Sequence, residues 1–249
     1  MVSETSLRSG PLAWKNLIKP ESQELEILKK EYGFHELDLE DCLSKTESPK
    51  IEEYKEYVFI VFHFPVRDSK NDHISIVQLN VFIGQHYLIT VSDTPLKRVT
   101  DFFENLKVKR GERLSVFKKG SGYLLYLLMD ELFDVYNGYL LQLTRAMREI
   151  EDDIFEGSIM KDRLYDIMMV KRQIITLKRA IIPHTPIILA IERLHKRFIN
   201  KELELYFDDV ADKITRARNS LESMTETIGT LHEANEALTS HNTNRVMKI

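Results

Sequence analysis

Hydrophobic residues in the first half of the chain follow two kinds of pattern. Residues 21–32 and 37–43 have the apolar spacing of short helices. Three later segments are dense in β-branched and aromatic residues, which is typical of strands: 57–66, 74–83 and 86–91. Gly84 and Gln85 predict a tight hairpin turn between the last two strands. Helical spacing returns over 93–107, so this half is predicted to mix helices and strands.

The second half of the chain shows helical patterns and no strand pattern. Gly120 and Gly122 interrupt the periodicity and predict a boundary there. Helices are then predicted over three segments: 123–155, 161–182 and 187–200. We therefore predict an α+β fold, with an N-terminal α/β sandwich over 1–122 whose mixed sheet is flanked by helices. Antiparallel helices are predicted over 123–201, and a long stalk helix over 202–249.

The stalk segment has the most regular pattern in the sequence. Its apolar residues follow 4-3-4-3 spacing over about five heptads. They are Leu203, Phe207, Val210, Ile214, Ala217, Leu221, Met224, Ile228, Leu231 and Leu238. At 1.5 Å per residue, 202–249 would form a helix roughly 70 Å long, and other helices must cover this apolar seam. Asn235 and Asn242 lie in the same seam, where a polar side chain sets the register of a coiled coil.

Composition and charge argue against several classes of protein. The 35 basic and 39 acidic side chains are spread through the 249 residues, without the basic concentration that nucleic-acid binding requires. The single cysteine, Cys42, forms no intrachain disulfide and suits a reducing cytoplasm. We also expect neither a signal peptide at the start nor a later run of the ~18 apolar residues that a membrane helix needs.

Motifs of common enzymes are incomplete in this sequence. His35 and Glu36 are not followed by a second histidine at zinc-protease spacing, and residues 120–122 lack the Lys-Ser/Thr ending of a phosphate loop. His63 and His86 lie in strand patterns, where a packed imidazole is the common outcome. We predict that the protein is not an enzyme.

The end of the sequence has the pattern of a helix that continues. Residues 244–249 contain neither the glycine nor the proline that commonly follows a helix. Arg245 and Lys248 have the position that the positive-inside rule gives to the cytoplasmic flank of a membrane span. We therefore expect the parent protein to enter the membrane just after this segment.

Four stretches of the sequence resemble the CorA family of magnesium and cobalt transporters, in order along nearly the whole chain. The first stretch is FHELDLED at 34–41 with PKIEEY at 49–54, and the second is the hairpin at 80–91. The third is YLLY at 123–126 with Asp130 and Asp134. The fourth is helical and comprises LKRA at 177–180 with Pro183, YFDDV at 206–210 and NRVMK at 244–248. Glu36 replaces a usual proline of the family, and Ile182 replaces a common tryptophan. The Gly-Met-Asn motif of the family does not occur in these 249 residues.

The resemblance implies a funnel-shaped homo-pentamer that transports divalent cations. Each subunit would contribute an N-terminal α/β sandwich and a stalk helix that leads to the pore. The full-length protein would lie in the inner (plasma) membrane, held there by C-terminal helices that this sequence lacks, with this chain on the cytoplasmic side. Regulatory cation sites would lie between subunits.

The resemblance also implies a set of acidic metal ligands. Mg²⁺ would lie between carboxylates of the α/β domain and carboxylates at the top of a neighbour's stalk, and by position Asp101 and Asp209 fit this pair best. Asp134 is a third candidate, and Asp208 and Asp212 could add outer contacts. Mg²⁺ prefers oxygen ligands and keeps several waters, so two carboxylates suffice. The alternative is that these are ordinary solvated aspartates.

Two other functions remain open from the sequence. His232 and His241 on the stalk would favour the softer Zn²⁺, which points to the zinc-transporting branch of the family, with Co²⁺ also possible as the bound ion. However, two histidines nine residues apart do not share one helix face. A soluble coiled-coil module that only oligomerises is the third possibility.

Overall fold

The structure is a computed structural model that describes residues 6–45, 48–68, 74–155, 163–194 and 198–247. Its strands are β1 Ser6–Ser9, β2 Leu12–Ile18, β3 Lys50–Glu53, β4 Tyr57–Arg67, β5 Ile74–Gly84 and β6 Tyr87–Ser92. Its helices are α1 Ser22–Tyr32, α2 Glu36–Leu43, α3 Lys97–Val108, α4 Arg110–Lys118, α5 Ser121–Phe133, α6 Val135–Phe155, α7 Arg163–Ile181, α8 His184–Arg193 and α9 Glu204–Met247.

The strands form one mixed sheet in the order β1-β2-β6-β5-β4-β3. Neighbours are antiparallel except for β2 and β6, which run parallel. The sheet with its helices and the long C-terminal helix confirm the predicted α+β class. The hairpin between β5 and β6 turns at Gln85 and His86, because Gly84 already pairs with Tyr87, so the turn lies one residue later than predicted.

Sequence patterns did not predict strands β1, β2 and β3. The two edge strands, β1 and β3, have only four residues each, and β3 carries Lys50, Glu52 and Glu53, charges that are typical of a protected edge. Strand β2 depends on a distant partner, because it pairs with β6, about 75 residues later in the chain. The fully buried Trp14 of β2 donates from Nε1 to Thr90 Oγ1 of β6 at 3.1 Å.

Several predicted helix boundaries were also wrong. Helix α3 begins at Lys97 rather than at 93, and α4 was not predicted at all. The segment 123–155 forms two helices, α5 and α6, separated at Asp134. Helix α8 begins at His184 and ends at Arg193, earlier at both ends than the predicted 187–200, and residues 195–197 of that range lie outside the described residues.

Helices cover both faces of the sheet. Helices α1 and α2 pack on the face that carries Phe59 and Phe82. The opposite face, with Phe62 and Leu79, joins a larger core formed with helices α3 to α9. Residues alternate between the two faces because successive side chains of a strand point in opposite directions. The division of the chain at 122 and 201 stays a prediction.

Helix α9 has 44 residues, and its apolar seam packs on α5, α6, α7 and α8 of the same chain. Its buried seam residues are Phe207, Val210, Ile214, Ala217, Leu221, Ile228 and Leu231. Met224 and Leu238 are partly buried at its margin, and Asn235 is intermediate in exposure. The predicted seam is therefore covered by helices of one chain. The side chain of Asn242 lies outside the described residues.

One helical stretch among the described residues, Arg163–Arg193, is long and apolar enough to cross a membrane by length and composition. The stretch is not an unbroken run of about 18 apolar residues, because Lys178 and Arg179 lie within it. The stretch comprises α7 and α8, which are separated by a turn at Pro183. Ile174 and Leu177 of α7 are buried in the main core, and core helices pass the same test of composition.

We expect Leu221→Ala to lower the free energy of unfolding by about 2 to 5 kcal/mol, because Leu221 is fully buried in the seam and its truncation leaves a cavity. The matched control is Leu205→Ala on the same helix, which should change stability by less than about 0.5 kcal/mol because Leu205 is 79% exposed. Urea unfolding followed by circular dichroism measures both. Equal losses of unfolding free energy in the two variants would contradict the burial of Leu221 in the seam.

His184, at the start of α8, is a fully buried histidine that contacts the rings of Phe62, Phe64 and Phe133. Its Nε2 accepts a hydrogen bond from the backbone N–H of His63 at 3.2 Å. Burial, together with the nearby His63, lowers the pKa of His184 to about 3. The imidazole is therefore neutral across the physiological range.

Acidification should destabilise the protein through His184. Between pH 6.5 and about 3 the unfolded chain binds a proton at this position and the folded chain does not, so stability falls as the pH falls. This residue alone should lower the free energy of unfolding by about 1.4 kcal/mol for each pH unit of acidification in that range. His184→Gln, compared with wild type by urea unfolding from pH 7 to pH 4, should show a shallower loss. Parallel pH profiles for the two proteins would show that His184 does not titrate in this way.

Candidate cation-binding site

Asp101 lies on the outer side of α3, and its carboxylate is exposed. Val99, Phe103 and Leu106 of the same helix are buried against the sheet, and Trp14 packs on Phe103 with ring centroids 5.0 Å apart. These contacts fix the helix, and its periodicity directs Asp101 outward. No ion pair is formed by Asp101 within the described part of the chain.

Asp208, Asp209 and Asp212 lie in the first turns of α9 and are all exposed. Their outward position follows from the seam, because Phe207 and Val210 are fully buried on the other side of the helix. Asp209 and Asp212 are three residues apart and therefore share a face. None of the three forms an ion pair with another described residue.

An aromatic cluster holds the top of α9 against α5. The ring of Tyr206 on α9 lies 4.9 Å from that of Tyr126 and 5.5 Å from that of Tyr123, both on α5. Burial raises the pKa of Tyr126, and the negative charges of Asp130 and Asp209 raise it further. The carboxylate of Asp209 is thus close enough to act on a ring that is fixed in the helix interface.

Asp134 differs from the other candidates because it already has a counter-ion in its own chain. Lys213 of α9 donates to Asp134 at 2.9 Å and also to Asp130, one turn earlier. Burial alone would lower the pKa of Lys213, but the two carboxylates outweigh that effect and raise it. Sequence reasoning missed Lys213; the i, i+4 spacing of Asp130 and Asp134 was the available signal for a shared cation.

A second acidic group lies nearby, between α8 and α9. Burial raises the pKa of Glu192, and the charges of Asp208 and Glu204 raise it further. Even so, no group of three or more His, Cys, Asp or Glu side chains within the described residues is arranged to hold a metal ion. The structure therefore brings the predicted aspartates to the surface without assembling them into a site within one chain.

The two stalk histidines are not brought together. His232 Nε2 lies 3.6 Å from Glu236 Oε1, one turn further along the same helix, and His241 is exposed. Nine residues at about 100° each separate the two histidines by half a turn.

The mixed sheet covered by helices and joined to a long helix has the fold of the soluble domain of a CorA transporter. The chain belongs to the family described as CorA-like Mg2+ transporter protein, whose profile matches residues 9–249. This is a family of transporters and not of enzymes.

Individual relatives agree with this family. The chain is 24% identical over 237 residues to the Putative metal ion transporter YfjQ of Bacillus subtilis, covering 94% of this chain and 70% of that protein. Its fold matches the complete structure of the CorA magnesium transporter from Methanocaldococcus jannaschii with a TM-score of 0.84 at 21% identity, over 99% of this chain and 76% of that one. The soluble domain of the same transporter matches with a TM-score of 0.80 at 22% identity, over 92% and 89% of the two chains.

Lys213→Met should lower the free energy of unfolding by about 1 kcal/mol, because Asp130 and Asp134 would keep their charges without a counter-ion. Arg216→Met, on the exposed side of the same helix, is the matched control and should be nearly neutral. Chemical denaturation at low salt measures both. If the two variants unfold at the same denaturant concentration, the ion pairs of Lys213 do not stabilise the fold.

Proposed function

We propose that this chain is the cytoplasmic, ion-sensing and gating part of a CorA-type Mg²⁺ and Co²⁺ transporter of the inner membrane. Its subunits would form a homo-pentamer, with divalent cations bound between neighbours in the closed state. The observation that carries the proposal is the exposure of Asp101 and Asp209, two carboxylates without ion pairs in the described chain, on two rigidly packed helices.

The proposed site needs two subunits because one chain gathers no set of ligands among its described residues. Asp101 of one subunit and Asp209 of the next would each give Mg²⁺ a carboxylate oxygen, and water would complete the octahedral shell. Asp208 and Asp212 would contribute outer contacts through water. Asp134 ranks below them, because it already pairs with Lys213, which it shares with Asp130.

The mechanism would be a linkage between cation binding and subunit contact. Helix α3 is fixed to the sheet through Phe103, and α9 is fixed to its neighbouring helices through the seam. A cation bridging Asp101 and Asp209 would therefore tie the α/β region of one subunit to the stalk of the next. When the internal Mg²⁺ concentration falls, the two carboxylates would repel each other and the closed assembly would lose stability.

The structure favours an oxygen-ligated cation over the zinc alternative. The aspartates lie at the top of α9 on one accessible surface, whereas His232 and His241 lie on opposite sides of the helix. The coiled-coil alternative loses its main support, because the apolar seam is already covered by helices of the same chain.

Asp101→Asn and Asp209→Asn should each remove the protection of this chain by Mg²⁺ against limited proteolysis. In the wild type, Mg²⁺ at a hundred times its Kd should add about 2.7 kcal/mol to the stability of the bound state. The asparagine variants keep the shape of the side chain and remove the charge. The matched control is Asp166→Asn on α7, an exposed aspartate away from the proposed site, which should keep wild-type protection.

The same titration separates the other candidates. Asp134→Asn should retain most of the protection, because Asp134 already has a counter-ion in Lys213. Zn²⁺ that protects at lower concentration than Mg²⁺, with protection lost in His232→Gln rather than in the aspartate variants, would favour the zinc branch. Full Mg²⁺ protection in both Asp101→Asn and Asp209→Asn would remove this pair from the site.

A further inference from the structure

A cavity of about 370 Å³ lies where α2 ends, on the face of the sheet that α1 and α2 cover. Helix α2 ends at Leu43, which lines one side of the cavity. Strand periodicity directs Gln78 and Asn80 to this face, and the end of α7 contributes Arg179 at the rim. A cavity of this size is in the range of small-molecule sites.

Asn80 is a buried residue whose side-chain oxygen has a hydrogen-bond partner among the described residues. It is 2% exposed, and its Oδ1 accepts from Gln78 Nε2 at 2.9 Å. Gln78 Nε2 in turn donates to the backbone oxygen of Asp41 at 2.8 Å, which fixes both amides. Asn80 Nδ2 donates to no described group, and the residue lines the cavity. The Asn80 amide is held in place by Gln78 and can donate from Nδ2 to a ligand bound in the cavity.

The charges around the cavity favour an anion. Lys45 and Arg179 line it, and Arg179 forms no ion pair with a described residue. The adjoining groove shares Ile76 and Arg179 with the cavity and adds Lys171 and Arg172. Among the described lining residues, these four cations face one carboxylate, that of Asp93. Burial lowers the pKa of His63, which also lines the cavity, so the positive charge comes from lysine and arginine.

We propose that this cavity binds a small phosphate-bearing anion, with Asn80 at its floor and Arg179 and Lys45 at its rim. The planar guanidinium of Arg179 can give two parallel hydrogen bonds to phosphate oxygens. The cations of the adjoining groove favour a ligand with more than one negative charge. The site lies apart from Asp101 and Asp209 and does not depend on the proposed metal bridge.

Ligand binding at this cavity would act on the helix next to the stalk. Most of the lining side chains belong to α2, β4, β5 and α7, so one ligand would contact four elements. Helix α7 packs on α9 along the seam, where Ile174 and Leu221 belong to the same core. A bound anion would therefore hold α7 against the sheet and stabilise the surface on which the stalk rests.

Calorimetric titration of the chain with inorganic phosphate and with ADP tests the site, in EDTA so that metal binding does not contribute. Arg179→Gln should weaken binding about ten- to a hundredfold, the usual effect of losing a charged hydrogen bond. The matched control is Lys178→Gln, the neighbouring residue, which lines neither cavity nor groove and should bind as the wild type does. Lys45→Gln, at the exposed rim, gives a second variant if Arg179→Gln does not fold.

A second readout identifies the floor of the site in the unmodified protein. On addition of the tighter probe, the side-chain amide signal of Asn80 should shift in a nitrogen-15 spectrum of the wild type. Tighter binding of ADP than of phosphate would show that the cavity also accepts the organic part of the ligand, and equal binding would show that it recognises phosphate alone. Absence of binding by both probes at millimolar concentration, or equal binding by the Arg179 and Lys178 variants, would overturn the proposal.

Discussion

The burial of one side of α9 against α5, α6, α7 and α8 is the contact on which the rest of the structure depends. Each apolar side chain that is fully removed from water along this seam stabilises the fold by about 1.5 to 3 kcal/mol before entropic costs. Because Phe207, Val210 and Ile214 must face inward, the residues between them must face out. The surface of aspartates at the top of the helix is thus a consequence of how the helix is packed.

The same core also fixes the sheet relative to the stalk. One cluster of buried residues runs from Trp14 and Phe62 in the sheet, through α5 and α7, to Leu231 in the C-terminal half of α9. Side chains in such a core are close-packed, so movement of one element is felt by its neighbours. Cation binding at the outer surface and anion binding at the end of α2 would both act on this common body, one between subunits and one within a subunit.

Much of the fold could be predicted because it depends on local periodicity. The long helix, its seam and strands β4 to β6 follow from spacing alone, and the outward position of Asp209 follows from the seam. The short edge strands β1 and β3 could not be predicted, because their pairing depends on distant partners. The ion pairs of Lys213 with Asp130 and Asp134 also join residues about 80 positions apart. The i, i+4 spacing of Asp130 and Asp134 suggests a shared cation, but it does not reveal that Lys213 of α9 supplies it.

Cross-linking between differently marked subunits tests the proposed bridge most directly. In a Cys42→Ser background, one chain would carry Asp101→Cys and a second chain of different length would carry Asp209→Cys. A short thiol-specific cross-linker should join the two chains into a mixed dimer when they are assembled together, and should leave either chain alone as a monomer. If cross-linking yields no mixed dimer, Asp101 and Asp209 do not face each other across a subunit boundary.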